Sequence, residues 1–139
     1  MIPYCSICWD DNKVRLLDQR LLPQVETYLE TTDYRDVIEA IRTLAIRGAP
    51  AIGVSAAMGL ALGARQIAAD TFEEFWPKFE EIRGVMAATR PTAVNLFWAI
   101  DRIKRFVQEN RGRSIAEIRE LLVRESQRML DEDIETNRR

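Results

Sequence analysis

Two arginine-bearing segments have the residue types and spacing to do chemistry: Arg47-Gly48-Ala49-Pro50, ahead of an Ala/Gly-rich helical stretch, and Arg90-Pro91-Thr92-Ala93, ahead of a long amphipathic one. Each sets a guanidinium beside the unbonded backbone N–H groups at the positive end of a helix. That combination suits an anion, phosphate above all. Gly48 permits close backbone approach. Pro50 and Pro91 preset the turns without forfeiting a helical bond, since a first-turn N–H has no intrahelical partner. The same residues also admit a plainer reading, as ordinary helix starts whose arginines sit in salt bridges. Neither nucleotide fingerprint is present. There is no G-x-x-x-x-G-K-[ST], and Gly53, Gly59 and Gly63 fall inside a helical stretch, not in a strand–loop–helix turn.

The other side chains narrow the chemistry further. The chain has no histidine, which excludes Ser-His-Asp and Cys-His pairs, His-based metal sites and an imidazole base. Of its 20 basic residues only Lys13, Lys78 and Lys104 are lysines. The cationic side is therefore almost all arginine, suited to bidentate contact with carboxylate or phosphate. Cys5 and Cys8 have C-x-x-C spacing, but zinc needs two more ligands and a redox pair of this kind opens a helix. Here the surrounding residues alternate like a strand, so both thiols read as packing or solvent-facing groups. No metal site is expected. Asp101, between Arg102 and Arg105, reads as a salt-bridge partner. Trp76 and Trp98 read as core or interface packing, and Asn95 as either a polar contact near Arg90 or a buried hydrogen-bonding group.

These residues need a scaffold, and 139 residues with 47% hydrophobic and 30% charged side chains suit one ordinary globular domain. A net charge of −2 makes no electrostatic case for nucleic acid or an anionic membrane. The start lacks the basic region and apolar core of a secretory signal. The uncharged run from Gly48 to Ala64 would reach only about 25 Å as a helix, short of the roughly 30 Å hydrocarbon core. With two free thiols, the expected location is the reducing cytoplasm.

The hydrophobic period predicts an α+β fold: a short N-terminal antiparallel β-meander (about 5–30) followed by a mainly α-helical bundle (about 33–139). Ser6–Asp10 and Lys13–Leu17 flank a turn at Asp11-Asn12. Leu21-Leu22-Pro23 breaks the run, and Val25–Glu30 forms a third strand. Asp33 caps a helix with apolar positions at Tyr34, Val37, Ile38, Ile41, Leu44 and Ala45, ended by Arg47-Gly48. A helix over 51–69 is expected to be central, its glycines letting other backbones come close. Thr71-x-x-Glu74 is a capping box, opening a helix that Pro77 kinks or splits. A long amphipathic helix over 93–110 carries Leu96, Phe97, Ile100, Ile103 and Val107 on its apolar stripe. Ser114-x-x-Glu117 opens a last helix that buries Ile115, Ile118, Leu122 and Met129, with Glu120 and Arg124 as a favourable i,i+4 pair.

Arg42-Thr-Leu-Ala-Ile-Arg-Gly-Ala-Pro-Ala-Ile-Gly53 and Thr89-Arg-Pro-Thr-Ala-Val-Asn-Leu-Phe-Trp-Ala99 resemble signature segments of the methylthioribose-1-phosphate isomerase family. That family shares a superfamily with ribose-1,5-bisphosphate isomerase and the regulatory subunits of eukaryotic translation initiation factor 2B. The likeness includes the Leu-Leu-Asp-Gln-Arg-Leu-Leu-Pro run at 16–23 and the closing 132–138 segment. It implies isomerisation of 5-methylthioribose 1-phosphate to 5-methylthioribulose 1-phosphate in methionine salvage, an amino-acid biosynthetic route, without metal or organic cofactor. It further implies a homodimer. The substrate-binding residues it implies are Arg47, Gly48, Ala49 and Arg90. The family's catalytic cysteine and aspartate belong to a C-terminal Rossmann-like domain downstream of everything in this sequence. Residues 1–139 therefore correspond to the N-terminal domain. Cys5 and Cys8 do not match the catalytic motif, no catalytic residue is expected in this chain, and the chain alone is expected to be inactive. The alternative is a regulatory or binding subunit of the initiation factor 2B kind.

Overall fold

A computed structural model of the chain describes residues 7–10, 13–18, 27–43, 49–90 and 94–137. Three strands, β1 (Ile7–Asp10), β2 (Lys13–Asp18) and β3 (Thr27–Thr31), form the expected antiparallel meander in the order β1-β2-β3. Trp9 lies opposite Val14, and Leu16 opposite Leu29. The expected turns at Asp11-Asn12 and Leu21-Leu22-Pro23 lie outside the described residues. Period-two alternation buries Val14 and Leu16 of β2 and leaves Lys13 exposed. The third strand runs later than expected, to Thr31. There the Thr31 hydroxyl accepts from the Asp33 N–H (2.9 Å) and donates to Asp36 (2.6 Å), turning the chain into the first helix.

Five helices follow: α1 (Tyr34–Arg42), α2 (Ala49–Gln66), α3 (Phe72–Ala87), α4 (Val94–Glu109) and α5 (Ile115–Asn137). Asp33 caps α1 by accepting from the Arg35 N–H. The helix ends at Arg42, well before Arg47-Gly48, with Thr43 as its C-cap: the Glu39 carbonyl accepts from both the Thr43 N–H (2.9 Å) and its hydroxyl (2.8 Å). Leu44 and Ala45 lie outside the described residues. Helix α2 starts two residues earlier than expected and stops three earlier. Its last residue, Gln66, is engaged elsewhere, accepting from the Tyr34 N–H at 2.8 Å. Pro77 does not split α3. It removes one bond, to the exposed Glu73, whose carbonyl water can serve. Both capping boxes form: the Thr71 and Ser114 hydroxyls accept from the Glu74 and Glu117 N–H groups, each at 3.2 Å. Glu120 and Arg124 are both exposed and make no ion pair with each other.

Helix α2 is central, packed on by α1, α3, α4 and α5. Of its glycines, Gly59 faces Met86 and Val37, and Gly63 faces Ile82 and Tyr34. Those are approaches by side chains of α1 and α3. Only Gly53 meets another backbone, that of α4 at Asn95. The sheet is tied to the last helix by the Trp9 indole, whose Nε1 donates to Ser126 Oγ at 2.9 Å.

Candidate anion site at two helix N-termini

The contacts of α2 fix the direction of each neighbour. Pairing of Gly59 with Val37 and Gly63 with Tyr34 sets α1 antiparallel to it; pairing with Met86 and Ile82 does the same for α3. Helix α4 is different. Its first turn lies on Gly53, near the start of α2, while the Arg111 guanidinium just past its end stacks 5.5 Å over the Phe72 ring, just past the end of α2. The two helices therefore run the same way, and their positive ends lie side by side.

These are the two helices whose starts the sequence singled out. Neither has an acidic residue in its first turn, whereas α1, α3 and α5 carry Asp36, Glu73 and Glu74, and Glu117 there. A carboxylate in the first turn offsets the positive end of the helix dipole. At α2 and α4 that offset is missing, so the summed field of both ends is available to an anion.

Of the predicted site residues, Ala49 is the first residue of α2. Arg47 and Gly48 lie outside the described residues. Arg90 follows the closed end of α3, where the Thr89 hydroxyl donates to the Met86 carbonyl at 2.7 Å. It is half-buried, and its guanidinium has no ion-pair partner among the described residues. It thus stands at the same end of the bundle as both helix starts. Asn95 is half-buried, and its backbone carbonyl makes the contact with α2.

Sequence reasoning misplaced part of α4. Phe97, placed on the apolar stripe with the buried Leu96, Ile100, Ile103 and Val107, is 42% exposed, and Val94 and Trp98 beside it are 77% and 57% exposed. Spacing of three and four residues gathers them on one outward face, with Arg102 stacked 5.6 Å from the Trp98 ring centre. The Arg102 guanidinium also binds Glu125 (3.0 Å) and Glu132 (2.7 Å), joining α4 to α5. Asp101 pairs with Arg105 at 3.1 Å, as its flanking residues suggested. Among the described residues no group of three or more Cys, Asp or Glu side chains is arranged to hold a metal ion, and no helix is long and apolar enough to cross a membrane. A shallow hollow of about 300 Å³ lined by Phe72, Trp76, Pro77 and Arg111 lies at the opposite end of α2, away from the site.

Residues 45–139 match the Initiation factor 2 subunit family. A methylthioribose-1-phosphate isomerase from Geobacter sulfurreducens is 56% identical over 130 residues, 94% of this chain but 38% of the relative; one from Desulforamulus reducens is 42% identical over 134 residues, 96% and 39%. The chain thus spans less than two-fifths of the relatives it matches. The crystal structure of 5-methylthioribose 1-phosphate isomerase from Pyrococcus horikoshii superposes with a TM-score of 0.88 at 42% identity, over 94% of this chain and 36% of that one. The structure of translation initiation factor eIF-2B subunit delta from A. fulgidus superposes with a TM-score of 0.85 at 38% identity, over 94% and 37%.

Proposed function

Because the chain belongs to the Initiation factor 2 subunit family, we propose that it is the phosphate-holding part of a 5-methylthioribose 1-phosphate isomerase. The observation that carries this reading is the pair of acid-free helix N-termini set side by side, in a chain 56% identical to a relative bearing that name. Arg47, Gly48, Ala49 and Arg90 hold the substrate, with the arginines and first-turn N–H groups on its phosphate. In the reaction a hydrogen moves between adjacent sugar carbons after the ring opens. A phosphorylated anomeric carbon cannot open to a free aldehyde, so the ring opening needs assistance. Fixing the phosphate orients the sugar for that step and excludes water from it. The cysteine and aspartate that move the protons belong to the remaining length of the enzyme. That enzyme is a cytoplasmic homodimer working without metal or organic cofactor, and residues 1–139 alone do not turn substrate over.

The test is steady-state kinetics of Arg47→Ala and Arg90→Ala in the full-length enzyme. Each should cost about 2–4 kcal/mol of transition-state stabilisation, a fall in kcat/KM of roughly 30- to 1000-fold. Wild-type kinetics for both would remove the arginines from the site. Turnover by the 139-residue chain would show that the chemistry lies here. The alternative, a regulatory or binding subunit of the initiation factor 2B kind, has less support, since the relative at 56% identity is named an isomerase and the A. fulgidus initiation-factor subunit stands at 38%.

A further inference from the structure

The three glycines of α2 have different neighbours, and the difference bears on the anion site. A Cβ on Gly59 would come within 2.7 Å of the Met86 methyl, the far end of a flexible side chain, and 3.0 Å of Val37 Cγ1. A Cβ on Gly53 would lie 3.1 Å from the Asn95 backbone oxygen and 3.5 Å from Ala99 Cβ. Ala99 has no side-chain torsion to turn, and Asn95 O belongs to the first turn of α4, so neither can yield unless the helix itself moves. Gly53 is one turn into α2 and Asn95 is the second residue of α4. The spacing between the two helix starts is thus set where they touch.

We propose that Gly53 is a positioning residue for the anion site: by lacking a side chain it fixes the distance between the N-terminal turns of α2 and α4, so that one phosphate can be held by both. This rests on the phosphate-holding role proposed above. A methyl group at 53 pushes the turns apart by a few tenths of an ångström. Donors aimed at a common anion then no longer converge, although the helices still pack. Gly59, more than a turn further along the same helix, touches α1 and α3 and has no such effect.

The experiment measures inorganic phosphate binding to the purified chain by titration calorimetry, alongside thermal unfolding without phosphate. The variants are Gly53→Ala, Ala99→Val, which wedges the same contact from the α4 side, and Gly59→Ala. The expected result is a five-fold or greater rise in phosphate Kd for Gly53→Ala and Ala99→Val, and a change of less than two-fold for Gly59→Ala even where its melting temperature falls as far. Equal weakening in all three, or unchanged binding in Gly53→Ala, would make Gly53 a packing residue only and overturn the proposal. If Gly53→Ala does not fold, Ala99→Val decides on the same criterion. A wild-type chain that binds no phosphate would overturn the anion site itself and with it the role of Gly53; that failure appears in the wild type, before any variant is compared.

Discussion

Arg119 of α5 closes the C-terminal end of α2. Its Nε donates to the Ala64 carbonyl at 3.1 Å, and its guanidinium also donates to the carbonyl of Ile67, one residue past the helix. The Ala64 carbonyl takes only a long 3.4 Å bond from the Ile67 N–H among the described backbone bonds, and the helix dipole makes that end negative. The half-buried guanidinium supplies both the hydrogen bonds and the charge. Arg119→Ala should lower unfolding free energy by about 2–3 kcal/mol, with Arg119→Lys recovering only part because an ammonium lacks the fork. Urea denaturation reads both; an alanine variant as stable as wild type would show that water serves those carbonyls equally well.

Glycines in the helices should respond oppositely to alanine. Gly84 of α3 is exposed, and a Cβ there would meet nothing within 4 Å. Gly84→Ala should therefore stabilise by about 0.5–1 kcal/mol through helix propensity alone, a rise in Tm on the order of 3 °C. At Gly59 the same gain is outweighed by crowding against Val37, a stiff β-branched side chain. Gly59→Ala should show a net loss of about 1 kcal/mol. Calorimetric scans of the two variants, one rising and one falling, check the argument.

The Arg102 cluster predicts a response to acid. Its hydrogen bonds hold the Glu132 carboxyl below the ordinary glutamate value, and Arg102 itself is raised and stays charged. A depressed carboxyl favours the folded state above its unfolded value. That stabilisation is complete at neutral pH and is lost as the pH falls below about 4.5 and through the folded value. Stability measured from pH 6 to pH 3 should fall less steeply in Glu132→Gln than in wild type. Because half the Glu132 side chain is exposed, its loss at neutral pH should be small. Arg102→Ala should cost about 3 kcal/mol, since Glu125 is only 6% exposed and would keep only the more distant Arg128 at 3.6 Å.

Trp9→Phe removes the donor to Ser126 while keeping a ring in place. Ser126 Oγ still donates to the Val123 carbonyl at 2.8 Å, so no donor is stranded. The expected loss is about 1 kcal/mol. Unfolding followed by far-UV circular dichroism would show it, and a loss above 3 kcal/mol would mean that the indole does more than hydrogen-bond.

Much of this arrangement was readable in the sequence because it rests on local signals. Thr71 and Ser114 each stand three residues before a glutamate, and both boxes formed. Val14 and Leu16 alternate, and β2 buries them. The glycines of α2 announced a central helix, although only Gly53 admits a backbone. What failed was set by tertiary contact. Gln66, the last residue of α2, accepts from Tyr34, 32 residues away in sequence. Phe97 sits at a helical spacing that suits burial, but no neighbouring element covers that face among the described residues. The pairing of the two helix starts was not legible at all. It requires α2 and α4 to run in the same direction, and direction is a property of the assembled bundle.

The bond between Trp9 and Ser126 joins residues 117 positions apart. During synthesis the meander leaves the ribosome long before the helix it docks on. At roughly 5–20 residues per second, Trp9 waits about 6–23 s for Ser126 to be made. Through that interval Val14 and Leu16 have no complete core to cover them. Until then β1 lacks the bond that ties it to the last helix, and the length of that window is set by the rate of translation.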